Sequence, residues 1–300
     1  MIIKTLRNNR WYYMYRFVKW KIGDRSPLVA AIKITQKCNL SCTHCPWKNK
    51  ILSDLSTERW KKIIKSLWDM GCTVLTFEGG EPTLRRDMNE LLRYSSSIGF
   101  KTIVVTNGTQ DITNINPDIF WVSIDGFGKT HDKIRGKNVF EKALETIKKN
   151  QHRRIIILTT ISKTNYNDIE KICKSLSPYV SGFLFNFLYP YKDTKDMALK
   201  KAERIKVANK IIKLKRKYKI LNSESYMKAI STRWKCYPWS LIVVTADGKF
   251  PKGCMVEHLE PCNCEECDMG CYGEISQALQ MKQDAWEFFR EAAGIPLRLI

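Results

Sequence analysis

The sequence predicts an α/β fold: a parallel sheet, doubly wound or curled into an incomplete barrel, followed by a small cysteine-rich unit. Three observations predict it. Between residues 29 and 190, short runs rich in β-branched and aromatic residues alternate with helical patterns. The runs are nearly continuously apolar, as strands covered on both faces are. After Pro190 the alternation stops, and six of the eleven cysteines fall between 236 and 271.

Segment 10–22, RWYYMYRFVKWKI, interleaves aromatic and basic residues. One reading is an interfacial helix with Trp11, Tyr15 and Trp20 at headgroup depth and Arg10, Arg16 and Lys19 facing acidic lipid. The other is a helix that caps the open end of the main domain with its aromatic side buried. The narrow polar face favours the second. Strands are predicted at 29–35, 74–77, 102–106, 120–124, 155–161 and 182–189. Between them, Ser56-Thr57-Glu58 opens a helix that Gly71 closes, 87–97 forms another before Gly99, and 140–150 and 167–176 follow. Six β/α units in about 160 residues imply a parallel sheet with its site at the C-terminal strand ends. The stretch 195–219 reads as a helical connector. Residues 241–244 and 249–251 read as a hairpin around Ala246-Asp247-Gly248, and 275–292 as a helix closed by Gly294-Ile295-Pro296. The predicted organisation is a basic aromatic segment (1–28), the main domain (29–192), a basic linker helix (193–231) and a cysteine-rich domain (232–300).

Composition narrows the class. The hydrophobic fraction of 44% and aromatic fraction of 11% are those of a folded chain. No apolar run approaches the roughly 18–20 residues that cross a bilayer, and no secretory signal is legible, so the expected compartment is the cytoplasm. There, clustered cysteines point to metal or redox chemistry. Cys72 and Cys173 stand alone and read as small core residues. The formal charge is +21, and residues 195–219 alone carry eleven Lys/Arg against two acids. An anionic partner accounts for this, and a lysine-rich solvated surface accounts for it equally.

The first cysteine group is Cys38-Asn39-Leu40-Ser41-Cys42-Thr43-His44-Cys45, just past the first strand. Its C-x3-C-x2-C spacing is not the paired spacing of a zinc finger. Three thiolates on a short loop can grip three irons of a cubane and leave the fourth open. The loop resembles the signature of the radical S-adenosylmethionine (radical SAM) superfamily. That resemblance implies a partial (β/α)6 TIM-like barrel over roughly 29–190. It also implies that the open iron of a [4Fe–4S] cluster binds the methionine end of S-adenosylmethionine. Reductive cleavage then yields a 5′-deoxyadenosyl radical that takes hydrogen from substrate. Supporting motifs fall at later strand ends. Gly79-Gly80-Glu81-Pro82 resembles the family run that hydrogen-bonds the methionine ammonium. Thr106-Asn107-Gly108 ends the third strand and Ser123-Ile124-Asp125-Gly126 the fourth, adding Asn107 and Asp125 to the cofactor-binding set. The family's serine and arginine for the cofactor carboxylate and ribose fall on Ser123 and Arg135. His44 departs from the pattern, standing where relatives place an aromatic against the adenine.

In the second group, Cys236, Cys254, Cys264 and Cys267 resemble the ligand set of a twitch module, the reduced form of the SPASM module, with Cys262 and Cys271 as substitutes. The resemblance implies one auxiliary [4Fe–4S] cluster; a four-cysteine zinc site is the alternative. The expected activity is hydrogen abstraction from a small-molecule or peptide substrate, with net oxidation aided by the auxiliary cluster. The expected electron donor is a flavodoxin or ferredoxin. Only 28 residues precede the first strand, too few for a peptide-recognition domain. A membrane lipid modified at an anionic membrane surface is the alternative substrate, with the enzyme peripheral to the membrane. Nucleic acid is not expected, since only charge speaks for it. A non-enzymatic iron–sulfur or zinc protein would need no motif beyond the cysteines, and the later motifs argue against it.

Overall fold

The computed structural model describes residues 10–47, 53–251 and 253–295. The predicted helix-closing Pro296 and the side chain of Arg10 lie outside the described residues. Six strands form where the sequence places them: β1 (Val29–Thr35), β2 (Val74–Gly79), β3 (Lys101–Thr106), β4 (Ile119–Ser123), β5 (Ile155–Ile161) and β6 (Gly182–Phe187). A seventh, β7 (Leu241–Val244), comes from the cysteine-rich region. All pair in parallel in the order β6-β5-β4-β3-β2-β1-β7, and the sheet curls into a half-barrel.

The two-residue period of the strands builds two cores. One face sends Ile32, Phe77, Val104, Phe120, Ile157 and Phe185 toward the outer helices. Those helices are α2 (Thr57–Asp69), α3 (Met88–Ile98), α4 (Lys129–Arg135), α5 (Val139–Lys149) and α6 (Ile169–Leu176), preceded in the chain by α1 (Arg10–Lys21). Ser56 caps α2 by accepting from the Arg59 N–H at 3.3 Å. The other face sends Ala31, Val74, Ile103, Ile119, Ile156 and Leu184 into a second core. That core is filled by α9 (Gly270–Leu279) and α10 (Gln283–Ala293), which follow α7 (Lys201–Leu214) and α8 (Glu224–Ala229). Higher on the same face, Lys33, Val105, Ser123, Thr160 and Asn186 line a cavity instead. Apolar packing thus closes the N-terminal end of the half-barrel, and the polar space opens at the C-terminal strand ends.

Several expectations are corrected. The predicted hairpin gives a tight turn, with Gly248 N–H on the Thr245 carbonyl (2.8 Å) and Thr245 N–H on the Lys249 carbonyl (3.0 Å). Residues 249–251 form no strand, and the first arm pairs with β1. The single tail helix is two, broken at Met281, whose φ is 65°. α4 was not predicted. The connector α7 is packed rather than free: Val207, Ala208 and Ile211 are buried, and Arg204 meets Asp268 in a buried ion pair at 2.8 Å. α1 divides between the two arrangements expected of it. Arg16 is buried and donates to the Gly71 carbonyl (2.6 Å), and Trp20 packs edge-on against Trp239, while Trp11 and Tyr15 face outward. Among the described residues no helix is long and apolar enough to cross a membrane.

Candidate functional site

The loop after β1 carries Cys38, Cys42 and Cys45 and is fastened on both flanks. Asn107, at the end of β3, donates from Nδ2 to Asn39 Oδ1 (2.9 Å), and Asn39 Nδ2 donates to Thr109 Oγ1 (2.8 Å). On the other side the Thr43 N–H donates to the Ile134 carbonyl of α4 (2.9 Å). All three thiols line one cavity of about 260 Å³, together with His44, Gly79, Gly80, Glu81, Asn107, Ser123 and Arg135. Burial pushes the Cys42 thiol up to about 11 and raises Cys38 as well. Iron would have to displace those protons. Three soft thiols on one wall of a shared cavity fit a cluster that keeps one iron free for a ligand.

The glycine run is a cradle. Gly79 has φ 137°, and a Cβ there would stand 2.2 Å from the Thr35 carbonyl oxygen. A Cβ on Gly80 would stand 2.2 Å from that of Lys37, so only glycine lets this turn lie against the cysteine loop. Glu81 is spent on protein donors: Thr83 N–H and hydroxyl (3.1 and 2.6 Å), the Thr106 hydroxyl (2.9 Å) and the Asn107 N–H (2.7 Å). Burial outweighs these donors and raises its carboxyl above the usual range. Pro82 is buried and opens a short 3-10 turn.

Asp125 is fully buried behind the cavity wall and organises two residues that face it. Its Oδ2 accepts from Arg135 Nε at 2.6 Å and stands 3.5 Å from His44 Nε2, while Oδ1 accepts from the Thr160 N–H at 2.7 Å. Burial pushes this carboxyl up, but the charges of Arg135 and His44 hold it below the usual range. His131 accepts from the Asp125 N–H at Nδ1 (3.0 Å), and burial depresses it to about 4, so it sits there neutral.

Sequence reasoning missed an ion pair inside the cavity. Lys33 Nζ lies 3.2 Å from Glu78 and 4.6 Å from the Trp47 ring centroid. The signal was a lone lysine within the apolar run of β1. Asn39 left no signal beyond lying inside the cysteine loop. Tyr189, Tyr191, Met255 and Met269 line the far side of the cavity, toward the cysteine-rich region.

In that region Cys236, Cys254, Cys262, Cys264 and Cys267 line a second cavity of about 340 Å³, with Trp234 and Tyr272. The Cys262 and Cys264 sulfurs are 3.8 Å apart. Burial pushes Cys236 up to about 12 and Cys267 to about 11. Cys271, at the start of α9, is not on that wall and lies in the field of Glu78. Tyr189 lines the first cavity, and its hydroxyl accepts from the N–H of Asn263, the residue between Cys262 and Cys264 (2.8 Å). Among the described residues, no three His, Cys, Asp or Glu side chains converge on a point that one ion would fill.

Residues 32–176 match the family described as the Radical SAM superfamily. The match covers just under half of the chain and falls on the barrel, the part that resembles the radical SAM superfamily. The chain is 35% identical over 162 residues to the Fe-coproporphyrin III synthase of Methanosarcina barkeri, spanning 50% of this chain and 40% of that protein. It is 28% identical over 167 residues to the sporulation killing factor maturation protein SkfB of Bacillus subtilis, spanning 52% and 41%. The chain therefore matches less than half the length of these curated relatives. The crystal structure of Streptococcus suis SuiB bound to S-adenosylmethionine shares the fold, with a TM-score of 0.66 at 15% identity over 83% of this chain and 68% of that one.

Proposed function

We propose that the cavity binds S-adenosylmethionine against a [4Fe–4S] cluster on Cys38, Cys42 and Cys45, and that the enzyme abstracts hydrogen from a small-molecule or peptide substrate. The shared cavity carries this reading: the three thiols, the Gly79–Gly80 cradle, Ser123 and Arg135 all line one space. When bound, these cofactors supply one-electron reductive cleavage and hydrogen-atom abstraction. The chain's own residues bind and orient. Gly79 and Gly80 offer backbone to the methionine end. Ser123 and Arg135 face the carboxylate and ribose, and His44 stacks on the adenine. Asn107 and Asp125 act from behind, fixing the cysteine loop and Arg135. The aromatic and methionine side toward the cysteine-rich region receives the substrate.

Cys236, Cys254, Cys264 and Cys267 hold an auxiliary [4Fe–4S] cluster in this reading, with Cys262 on the same wall as the substitute. A twitch-like domain of that kind suits net oxidation, and a flavodoxin or ferredoxin supplies the reducing electron. Cytoplasmic placement accords with eleven cysteines, nine of them in two clusters. A membrane lipid is the second substrate reading, favoured by the exposed aromatics of α1. Their position at the opposite end of the barrel from the cavity counts against it.

Anaerobically reconstituted protein with dithionite and S-adenosylmethionine is expected to release 5′-deoxyadenosine, and Cys42→Ala to release none. No release from wild-type protein whose first cluster is spectroscopically intact would overturn the reading. Iron should reach about eight per chain. About four irons with one zinc would replace the auxiliary cluster by a zinc site.

A further inference from the structure

We propose that α1 seats this protein on an anionic membrane surface, with the catalytic cavity turned away from the bilayer. α1 has two distinct faces. Tyr12, Arg16 and Trp20 point inward: Arg16 donates to the carbonyls of Gly71 (2.6 Å), Ser26 and Pro27 (both 2.9 Å), and Trp20 Nε1 donates to the Ser26 carbonyl (3.0 Å). Trp11, Tyr15, Val18 and Ile22 point outward and are 58%, 55%, 56% and 76% exposed. Ile22 continues the helical pattern through its N–H on the Val18 carbonyl (3.1 Å). At about 100° per residue these four fall within an arc of about 60°, and Lys19 and Lys21 flank it on opposite sides. An apolar stripe with aromatics, edged by lysines, is the pattern of a helix lying in a headgroup layer.

Charge selects the occupant. Residues 1–28 hold seven Lys/Arg against one acid, Asp24. Asp24 is turned back onto Ser26, accepting from its N–H (2.8 Å) and hydroxyl (2.7 Å). A second copy of the chain would bring the same lysines face to face across a two-fold axis. An acidic bilayer meets the stripe with apolar depth and the lysines with opposite charge. Orientation follows from the fold. The inward contacts of α1 fall just before β1, β2 and β7, at the N-terminal strand ends, whereas the cavity lies at the C-terminal ends. The enzyme then works on a substrate from the aqueous side while held at the surface.

Co-sedimentation of the full chain with vesicles tests this directly. Binding is expected to phosphatidylcholine vesicles containing about 30% phosphatidylglycerol and to be lost on phosphatidylcholine alone. Lys19→Gln and Lys21→Gln should each weaken it about fivefold. The triple variant Tyr15→Ser, Val18→Ser, Ile22→Ser should abolish it while keeping the wild-type melting curve and iron content, since the three side chains face outward. Wild-type protein that stays in the supernatant with acidic vesicles overturns the proposal. So does a triple variant that pellets undiminished, or a concentration-dependent dimer that the triple variant dissolves. Binding that appears only after removal of residues 1–9 would also overturn it, by making that segment the occupant.

Discussion

Asp125 bears the heaviest electrostatic duty at the site, and the sequence named it for a different one. The Ser-Ile-Asp-Gly run marked it as a cofactor contact, yet its carboxylate is fully buried and points at Arg135 and His44. The strand period places Ser123 on the cavity face, but β4 ends there, and alternation says nothing about the turn that follows. Asp125→Ala would strand a buried guanidinium, so a loss of about 3–5 kcal/mol is expected in urea unfolding. Weaker S-adenosylmethionine binding in equilibrium dialysis should accompany it, because Arg135 loses its anchor. Glu274 presents the opposite problem. It is fully buried, accepts from the Ser223 N–H (3.0 Å) and Asn222 Nδ2 (3.4 Å), and has no partner on Oε2 among the described residues. Burial pushes it up to about 8 from 4.5. Between those values the folded chain holds a proton that the unfolded chain has lost, so stability falls as pH rises through that window. Glu274→Gln removes the titration. The melting temperature of wild type is therefore expected to drop relative to Glu274→Gln on going from about pH 5 to about pH 8.5. Parallel curves would show that Glu274 does not titrate there.

At the scale of elements, what was legible followed from local physics. β1 and β5 match their predicted bounds, and α2 starts at its predicted cap, since apolar runs and capping residues act within a few positions. The pairing of β7 and the existence of α4 were missed for the converse reason, although the bounds of β7 were predicted. Leu241–Val244 is a four-residue strand whose partner β1 lies some two hundred residues upstream, and nothing nearby signals a parallel pairing at that distance. α4 is seven residues long and begins at Gly128 without a side-chain cap, yet it delivers Arg135 to the cavity. The Gly79–Gly80 turn shows how one element positions another. Gly80→Ala would drive a Cβ into the Lys37 carbonyl, one residue from Cys38. A cost of about 1–3 kcal/mol is expected. The first cluster should also load poorly, read as lower iron with the auxiliary absorption retained. Full iron loading with an unchanged melting curve would mean that the turn gives way without moving the cysteine loop.

For the whole molecule, the cysteine-rich region combines the proposed auxiliary-cluster site with a second core, and this division was the least legible in sequence. A run of six cysteines draws attention to metal, whereas the apolar residues between and after them close the barrel. Tyr272, Ile275, Trp286, Phe288, Phe289 and Ala292 pack against Ala31, Ile103, Ile119, Ile156 and Leu184, and β7 covers the open edge of β1. Without them the half-barrel would expose one sheet face and the edge of the strand that leads into Cys38. A large apolar surface and an unpaired strand edge both favour aggregation. Chains ending at residue 231 are therefore expected to lack a cooperative melting transition. Full-length protein with Cys236, Cys254, Cys264 and Cys267 replaced by serine makes the opposite test, because it keeps every large apolar side chain of the second core and changes one sulfur to oxygen at each of four positions, of which only Cys254 is a buried core member. It should melt cooperatively and hold about four irons rather than about eight. If the serine variant failed to fold while the truncated chain melted cooperatively, metal rather than the second core would be what closes the barrel. The apolar contacts beneath the sheet predict the reverse, since of the side chains just named only Tyr272 lines the cysteine cavity.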